Sequence, residues 1–179
     1  MGSLQLSKLH VNEINAKGSD VTAMSIDNSG RVLTPALPVF FAEKTSTFNS
    51  TSSFQEIVYD TTHINQGNCY STSTGRFTAP ISGIYEFGYG HIGTSANNVH
   101  RMHLKKNGSY ITIGGVAKKY ELRHQISDDD FNTNAQFVAY VSLTASDYVS
   151  IWWKTDNNDD SMYANSAECY NVFRGRLIG

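Results

Sequence analysis

An all-β sandwich is the fold class this sequence predicts, and three observations predict it. Ser, Thr and Asn together supply 50 of the 179 residues. Aromatics make up 12% while Leu occurs only nine times. Small polar side chains that compete for backbone hydrogen bonds favour turns over helix interiors, and aromatic residues suit a pleated, half-buried surface. Finally, several stretches alternate apolar and polar residues with period two, and no Leu-rich stretch sustains a 3.6-residue apolar period.

Composition also excludes several functions. A hydrophobic share of 40% provides for one core. Charged residues are only 17%, against about 25% in average globular chains. With a net charge of −2 there is no basic field to hold nucleic acid or an anionic membrane. No run of about 18 apolar residues predicts a membrane-spanning helix. Residues 1–6 do not show the basic and then apolar segments of a secretory signal. The two cysteines, Cys69 and Cys169, are too few for a disulfide framework; one bridge or two free thiols both remain open.

Taken in order, residues 1–38 read as a β-rich, stalk-like segment. Short apolar-polar pieces at 4–6, 9–14 and 24–27 are closed by turn signals at residues 17–20 and 28–30. Pieces this short bury no face alone and need a neighbouring chain, the alternative being a flexible leader. Pro35 and Pro38 mark the boundary, since proline continues neither helix nor sheet. Residues 39–179 then predict about ten short strands. They begin at 39–42, a Ser/Thr loop fills 45–53, and strands follow at 56–59, 75–80 and 83–89. The last of these sets Tyr85, Phe87 and Tyr89 on one face. Asn107-Gly108 is a hairpin dipeptide between strands at 101–105 and 110–113. Further strands at 121–126, 135–144, 148–154 and 172–178 complete the set, with Phe137, Ala139, Val141 and Leu143 sharing one face and Val149, Ile151 and Trp153 another.

The series Tyr59, Asn65, Tyr70, Phe77, Gly83, Tyr85, Phe87, Tyr89 resembles the signature of the complement component 1q globular head, with Tyr59 standing where that family usually carries Phe. The string from Ser73 to Pro80, Ser146-Asp147 and Phe173-Arg174-Gly175-Arg176-Leu177 are also similar to that family. The resemblance spans residues 39–179. It implies a ten-stranded antiparallel jelly roll shared with tumour necrosis factor, assembled as a homotrimer, with some aromatics shared between subunits. Residues 24–35 resemble the segment before such domains in bacteriophage fibre proteins, and no collagen-like Gly-X-Y run occurs.

Catalytic groupings are missing. The histidines (His10, His63, His91, His100, His103, His124) are scattered, and no nucleophile elbow or H-E-x-x-H occurs. His100 and His103, three apart on a strand, face opposite sides and cannot pinch one metal. The acidic run from Asp156 to Asp160 opens like a calcium loop, but Ser161 and Ala167 stand where an EF-hand needs Gly and Glu. No cofactor is expected, although some members of the resembled family bind calcium near the trimer apex. Asn49 and Asn107 begin glycosylation sequons.

Recognition is therefore expected on loops over a rigid scaffold. The candidate residues are Asn97, Asn98, Asp129, Asn132, Asp156, Asn158, Met162 and Tyr163, the last two an apolar pair inside a polar loop. The leading expectation is a non-enzymatic trimeric tip domain of a viral fibre on the virion surface. It would bind a host cell-surface receptor, carbohydrate included, and its repeated sites would act by avidity. The alternatives are a secreted cellular ligand or pattern-recognition module, and a structural virion decoration protein.

Overall fold

The computed structural model describes residues 13–15, 18, 22–34, 36–93, 98–126, 135–156, 160–162 and 167–179. The chain divides into two compact units, 1–37 and 38–179. In the first, β1 (Glu13–Asn15), β2 (Thr22–Ile26) and β3 (Val32–Leu33) form an antiparallel sheet in that order. Asp27 makes the β2–β3 turn: its carboxylate accepts from the Ser29 and Arg31 amides at 2.8 and 3.0 Å and pairs with the Arg31 guanidinium at 2.6 Å. Those bonds hold its carboxyl below the usual carboxylate range. Ile14, Met24, Ile26, Val32 and Leu33 are all exposed on these three short strands.

The second unit contains β4 (Val39–Glu43), β5 (Phe48–Asn49), β6 (Gln55–Glu56), β7 (Thr61–Gln66), β8 (Tyr70–Ser71) and β9 (Arg76–Thr78). It continues with β10 (Gly83–His91), β11 (Asn98–Lys106), β12 (Ile111–Ile113), β13 (Val116–Lys118) and β14 (Tyr120–Ile126). β15 (Ala135–Leu143), β16 (Tyr148–Thr155), β17 (Ser161–Met162) and β18 (Val172–Leu177) complete it. One sheet runs β15-β10-β18-β4-β7, and the other runs β14-β11-β16-β9-β8 with β6 also on β16. All described pairings are antiparallel, and the two sheets form the jelly-roll sandwich. The sheets thus hold five and six strands where about ten in all were expected. The strand expected over 56–59 shortens to β6, while β7 forms where the sequence showed no apolar alternation. β7 is an edge strand whose one large apolar residue, Ile64, points outward, so nothing in its pattern announced it.

The core is aromatic. Phe40 stacks on Tyr70 and Phe77 at 4.9 and 5.2 Å and meets Phe173 edge-on at 4.8 Å, and Phe77 meets Phe87 at 5.2 Å. Tyr59, Tyr85 and Tyr89 are equally buried, so these rings belong to the interior of one chain. Three of the tyrosine hydroxyls donate to carbonyls: Tyr70 to Tyr59 at 3.0 Å, Tyr85 to Ile81 and Tyr89 to Tyr120 at 2.7 Å. Asn65 acts as a side-chain ladder rung, accepting from the Tyr70 amide at 3.0 Å and donating to the Tyr70 carbonyl at 2.9 Å. Gly75 turns the chain at φ +74, where an added Cβ would lie 2.2 Å from the Ile57 carbonyl oxygen. Both cysteines are free thiols, Cys69 buried and Cys169 exposed.

One end of the sandwich is polar yet buried. His91 Nε2 lies 2.6 Å from His100 Nδ1, and Asn171 Oδ1 lies 3.3 Å from His91 Nδ1 while accepting from the Ile92 amide at 3.0 Å. His100 Nε2 sits 2.7 Å from Asp160 Oδ2, at ion-pair distance but without hydrogen-bond alignment. Asp160 is tied to Ser50 by two bonds of 2.7 and 3.1 Å. Trp153 closes the cluster with its ring 5.4 and 5.9 Å from the two imidazoles. Burial first, and then the neighbouring His100, push His91 well below the usual histidine range. Burial lowers His124 and His103 as well.

Two expectations follow from this interior. A Cβ on Gly175 would stand 2.5 Å from Phe87 and 2.8 Å from Phe40 inside the ring stack. Gly175→Ala should therefore cost about 1–3 kcal/mol in urea unfolding, since the rings have no slack to absorb it. Histidines held below their unfolded value near 6.5 leave the unfolded chain holding more protons as pH falls through that value. Thermal stability should thus drop between pH 7.5 and 5.5. Asp147, lowered to about 2 by the Lys106 ion pair, plays no part in that window because its charge is lost only at more acid pH. An unchanged melting temperature across the window would contradict neutral burial of these imidazoles.

Candidate recognition surfaces

Each sheet turns one face to the shared core and leaves the other outward, and the two outward faces differ in chemistry. On the five-stranded sheet, the inward Tyr85, Phe87 and Tyr89 of β10 alternate with Ile84, Glu86 and Gly88, and the partner β15 presents Val138 and Tyr140 beside them. Ile64, Ile84 and Val138 are each about half exposed, and Tyr140 is 57% exposed. Near the middle of this apolar face Arg176 pairs with Glu86 at 3.2 Å and Arg174 lies flat over Gly88. Val39, Phe41 and Ile64 line a shallow depression of about 410 Å³ next to these arginines.

The outward face of the six-stranded sheet gathers aromatic rings and cations. Lys105 Nζ lies 4.0 Å above the Trp152 ring and 5.2 Å from that of Tyr110. Lys154 approaches Phe54 at 5.7 Å, and Phe54 stacks on His103 at 4.1 Å. His103 in turn pairs with Glu121 at 2.8 Å. Burial raises the Glu121 carboxyl, but the His103 hydrogen bond and the nearby cations leave it below the ordinary value. Burial of Lys105 lowers its ammonium, with Glu56 opposing the shift. β11 and β16 place these residues: His103 sits across the ladder from Trp152, and Lys105 lies two residues along from His103 on the same face.

The loop residues singled out from the sequence fare differently. Asn97, Asp129, Asn132, Asn158 and Tyr163 lie outside the described residues. Asn98 is not on a surface loop: it opens β11 and is 1% exposed. Met162 is fully buried, paired across β17 with Phe48 of β5, and Phe48 leans on Trp153 at 5.8 Å. An apolar residue in a polar stretch there marks the chain dipping into the core, and the expectation of an exposed contact is corrected accordingly. Asp156 is bound by Arg101 in a two-pronged pair at 3.1 Å and by Lys154 at 3.4 Å, and Arg101 holds its carboxyl low. Asn107, a sequon asparagine, is committed to the β11–β12 connection through Asp147 at 2.8 Å and the Tyr148 amide at 2.9 Å. The residues that make the aromatic–cation face were not found from the sequence, because Phe54 and Trp152 lie far along the chain from His103 and Tyr110 and meet them only through strand pairing.

Comparison with known proteins agrees with this architecture. The rat complement C1q tumor necrosis factor-related protein 6 is 24% identical over 130 residues, which cover 73% of this chain and 45% of that protein. The chain thus spans about half the length of this relative. The globular domain of zebrafish complement 1qA matches 79% of this chain and 98% of its own, with a TM-score of 0.56 at 17% identity. Murine APRIL matches 79% of this chain and 99% of its own, with a TM-score of 0.59 at 10% identity. At these identities the two solved structures speak to the fold alone. Residues 39–178 match the C1q domain, and the chain belongs to the C1q domain family.

Proposed function

We propose that this chain is a non-enzymatic, extracellular recognition module that assembles as a homotrimer through the outer face of its five-stranded sheet and meets its ligand on the outer face of the other sheet. One observation carries the reading: the sandwich covers a single core and leaves two outward faces, one apolar with a small charged centre, the other aromatic and cationic. An apolar sheet face of this kind is an association surface. Rings flanked by Lys105, Lys119 and Lys154 suit an anionic surface ligand such as an acidic carbohydrate, held by stacking and by charge. Three copies on one trimer would add avidity. The reading requires no cofactor.

The family match and the rat relative favour a cellular ligand or pattern-recognition module over a viral fibre tip. The fibre reading rests on the resemblance of residues 24–35 and on the lack of a collagen-like run before the domain. Binding of the folded trimer to bacterial cells, and not to animal cell surfaces, would restore it.

Light scattering should give a mass three times the 19.8 kDa chain. Val138→Asp, a change on the outward face, should reduce the mass to that of one chain without altering the circular dichroism spectrum. A monomeric parent protein would overturn the assembly. For the second face, Lys105→Glu should weaken binding to heparin-type sulfated polysaccharide by about tenfold, and added salt should weaken the parent's binding in the same direction. Unaltered binding would remove that face from recognition.

A further inference from the structure

At one end of the five-stranded sheet, on its outward side, three side chains from separate parts of the chain converge. Glu43 is the last residue of β4, His63 lies in β7, and Cys169 precedes β18 by three residues. His63 Nε2 stands 2.8 Å from Glu43 Oε2, Cys169 Sγ stands 3.4 Å from the same oxygen, and sulfur and imidazole are 3.9 Å apart. We propose that these three residues form a zinc site, binding through one Glu43 carboxylate oxygen, His63 Nε2 and the Cys169 thiolate, with water in the fourth position.

Three independent features support the assignment. The first is donor chemistry: one thiolate, one imidazole and one carboxylate form the borderline-soft set that a tetrahedral zinc ion takes, and three protein ligands leave one position open. Tetrahedral zinc with bonds of about 2.0–2.3 Å requires ligand–ligand separations of about 3.3–3.7 Å. The two separations to sulfur are already within a few tenths of an ångström of that range. The Glu43–His63 contact must open by about half an ångström as its hydrogen bond is replaced by two metal bonds.

The second feature is backbone placement. The β4–β7 ladder pairs Phe41 with Ile64 and Ala42 with Thr62, so His63 is the extra residue of a β-bulge. Uninterrupted alternation would set His63 on the face opposite Ile64. The bulge turns it to the side of Phe41, whose ring lies 5.4 Å away, and of Glu43.

The third feature is charge. Glu43 is 3% exposed, while His63 and Cys169 remain open to solvent. Its Oε2 faces a thiol and an imidazole, neither of which carries a fixed positive charge, and the adjacent Lys44 ammonium is engaged by Asp60 at 2.5 Å. Burying a carboxylate without a compensating cation is unfavourable. A zinc ion bound by one carboxylate and one thiolate makes a neutral site, with the Cys169 proton released to solvent and His63 binding as the neutral imidazole.

The test uses the full chain, stripped of metal and titrated with Zn²⁺ and Co²⁺. One zinc per chain should survive desalting, and the cobalt form should show an intense thiolate-to-metal charge-transfer band together with tetrahedral d–d bands. Cys169→Ser should abolish the charge-transfer band. His63→Ala should weaken zinc binding by about tenfold or more. Both side chains are exposed, so each variant should fold, with His63→Ala losing some stability because Glu43 loses a hydrogen-bond partner, and the second stands in should the first misfold. No retained zinc in the parent protein would overturn the proposal. So would an unchanged cobalt spectrum in Cys169→Ser, which would place the ion elsewhere, for instance among the buried histidines.

Discussion

The ring stack between the two sheets is the constraint on which the rest of this structure depends. Phe40 and Phe173 from adjacent strands of one sheet interlock with Phe77 and Tyr70 from the other, and Phe87 closes the group. Aromatic pairs at these separations add directional preference to simple area burial. They fix how the sheets sit on each other, and Gly175 exists in β18 because the rings leave no room for a side chain. With the sheets locked, every other residue of β10, β11, β15 and β16 is forced outward. The two recognition faces are thus consequences of the core.

The same logic explains why the polar end is tolerated. His91, His100, Asp160 and Asn171 are nearly inaccessible, and each comes from a different strand or connection. Isolated, any one would be costly to bury, but their bonds to one another and to backbone amides offset much of that. The cluster also ties the chain before β17 and before β18 to β10 and β11. It holds Met162 inside, which is why a stretch that looks like a solvated loop in the sequence is partly structural.

Legibility followed periodicity. β10, β15 and β16 are long, alternate cleanly and have one face in the core, so their inward residues could be named from the sequence. β7 could not, since an edge strand with a bulge needs little apolar patterning. The residues of the aromatic–cation face were equally hidden. Phe54 and His103 are 49 positions apart, and their stacking depends on how β6 and β11 flank β16. Asn98 and Met162 were misplaced for the converse reason: polarity of the surrounding stretch was read as exposure, whereas burial there is decided by what the neighbouring strands cover.

The sequence by itself determined the all-β class, the family resemblance and the inward rings, because alternation and aromatic spacing are local properties that any sheet must respect. Tertiary structure alone decided which outward faces exist and which distant side chains meet. Glu43, His63 and Cys169 make the point most plainly. They are separated by 20 and 106 positions, and a single bulge residue turns the histidine to the face where the other two wait. Such a meeting depends on register and strand order, which are set by long-range pairing and leave no mark on any short stretch of chain.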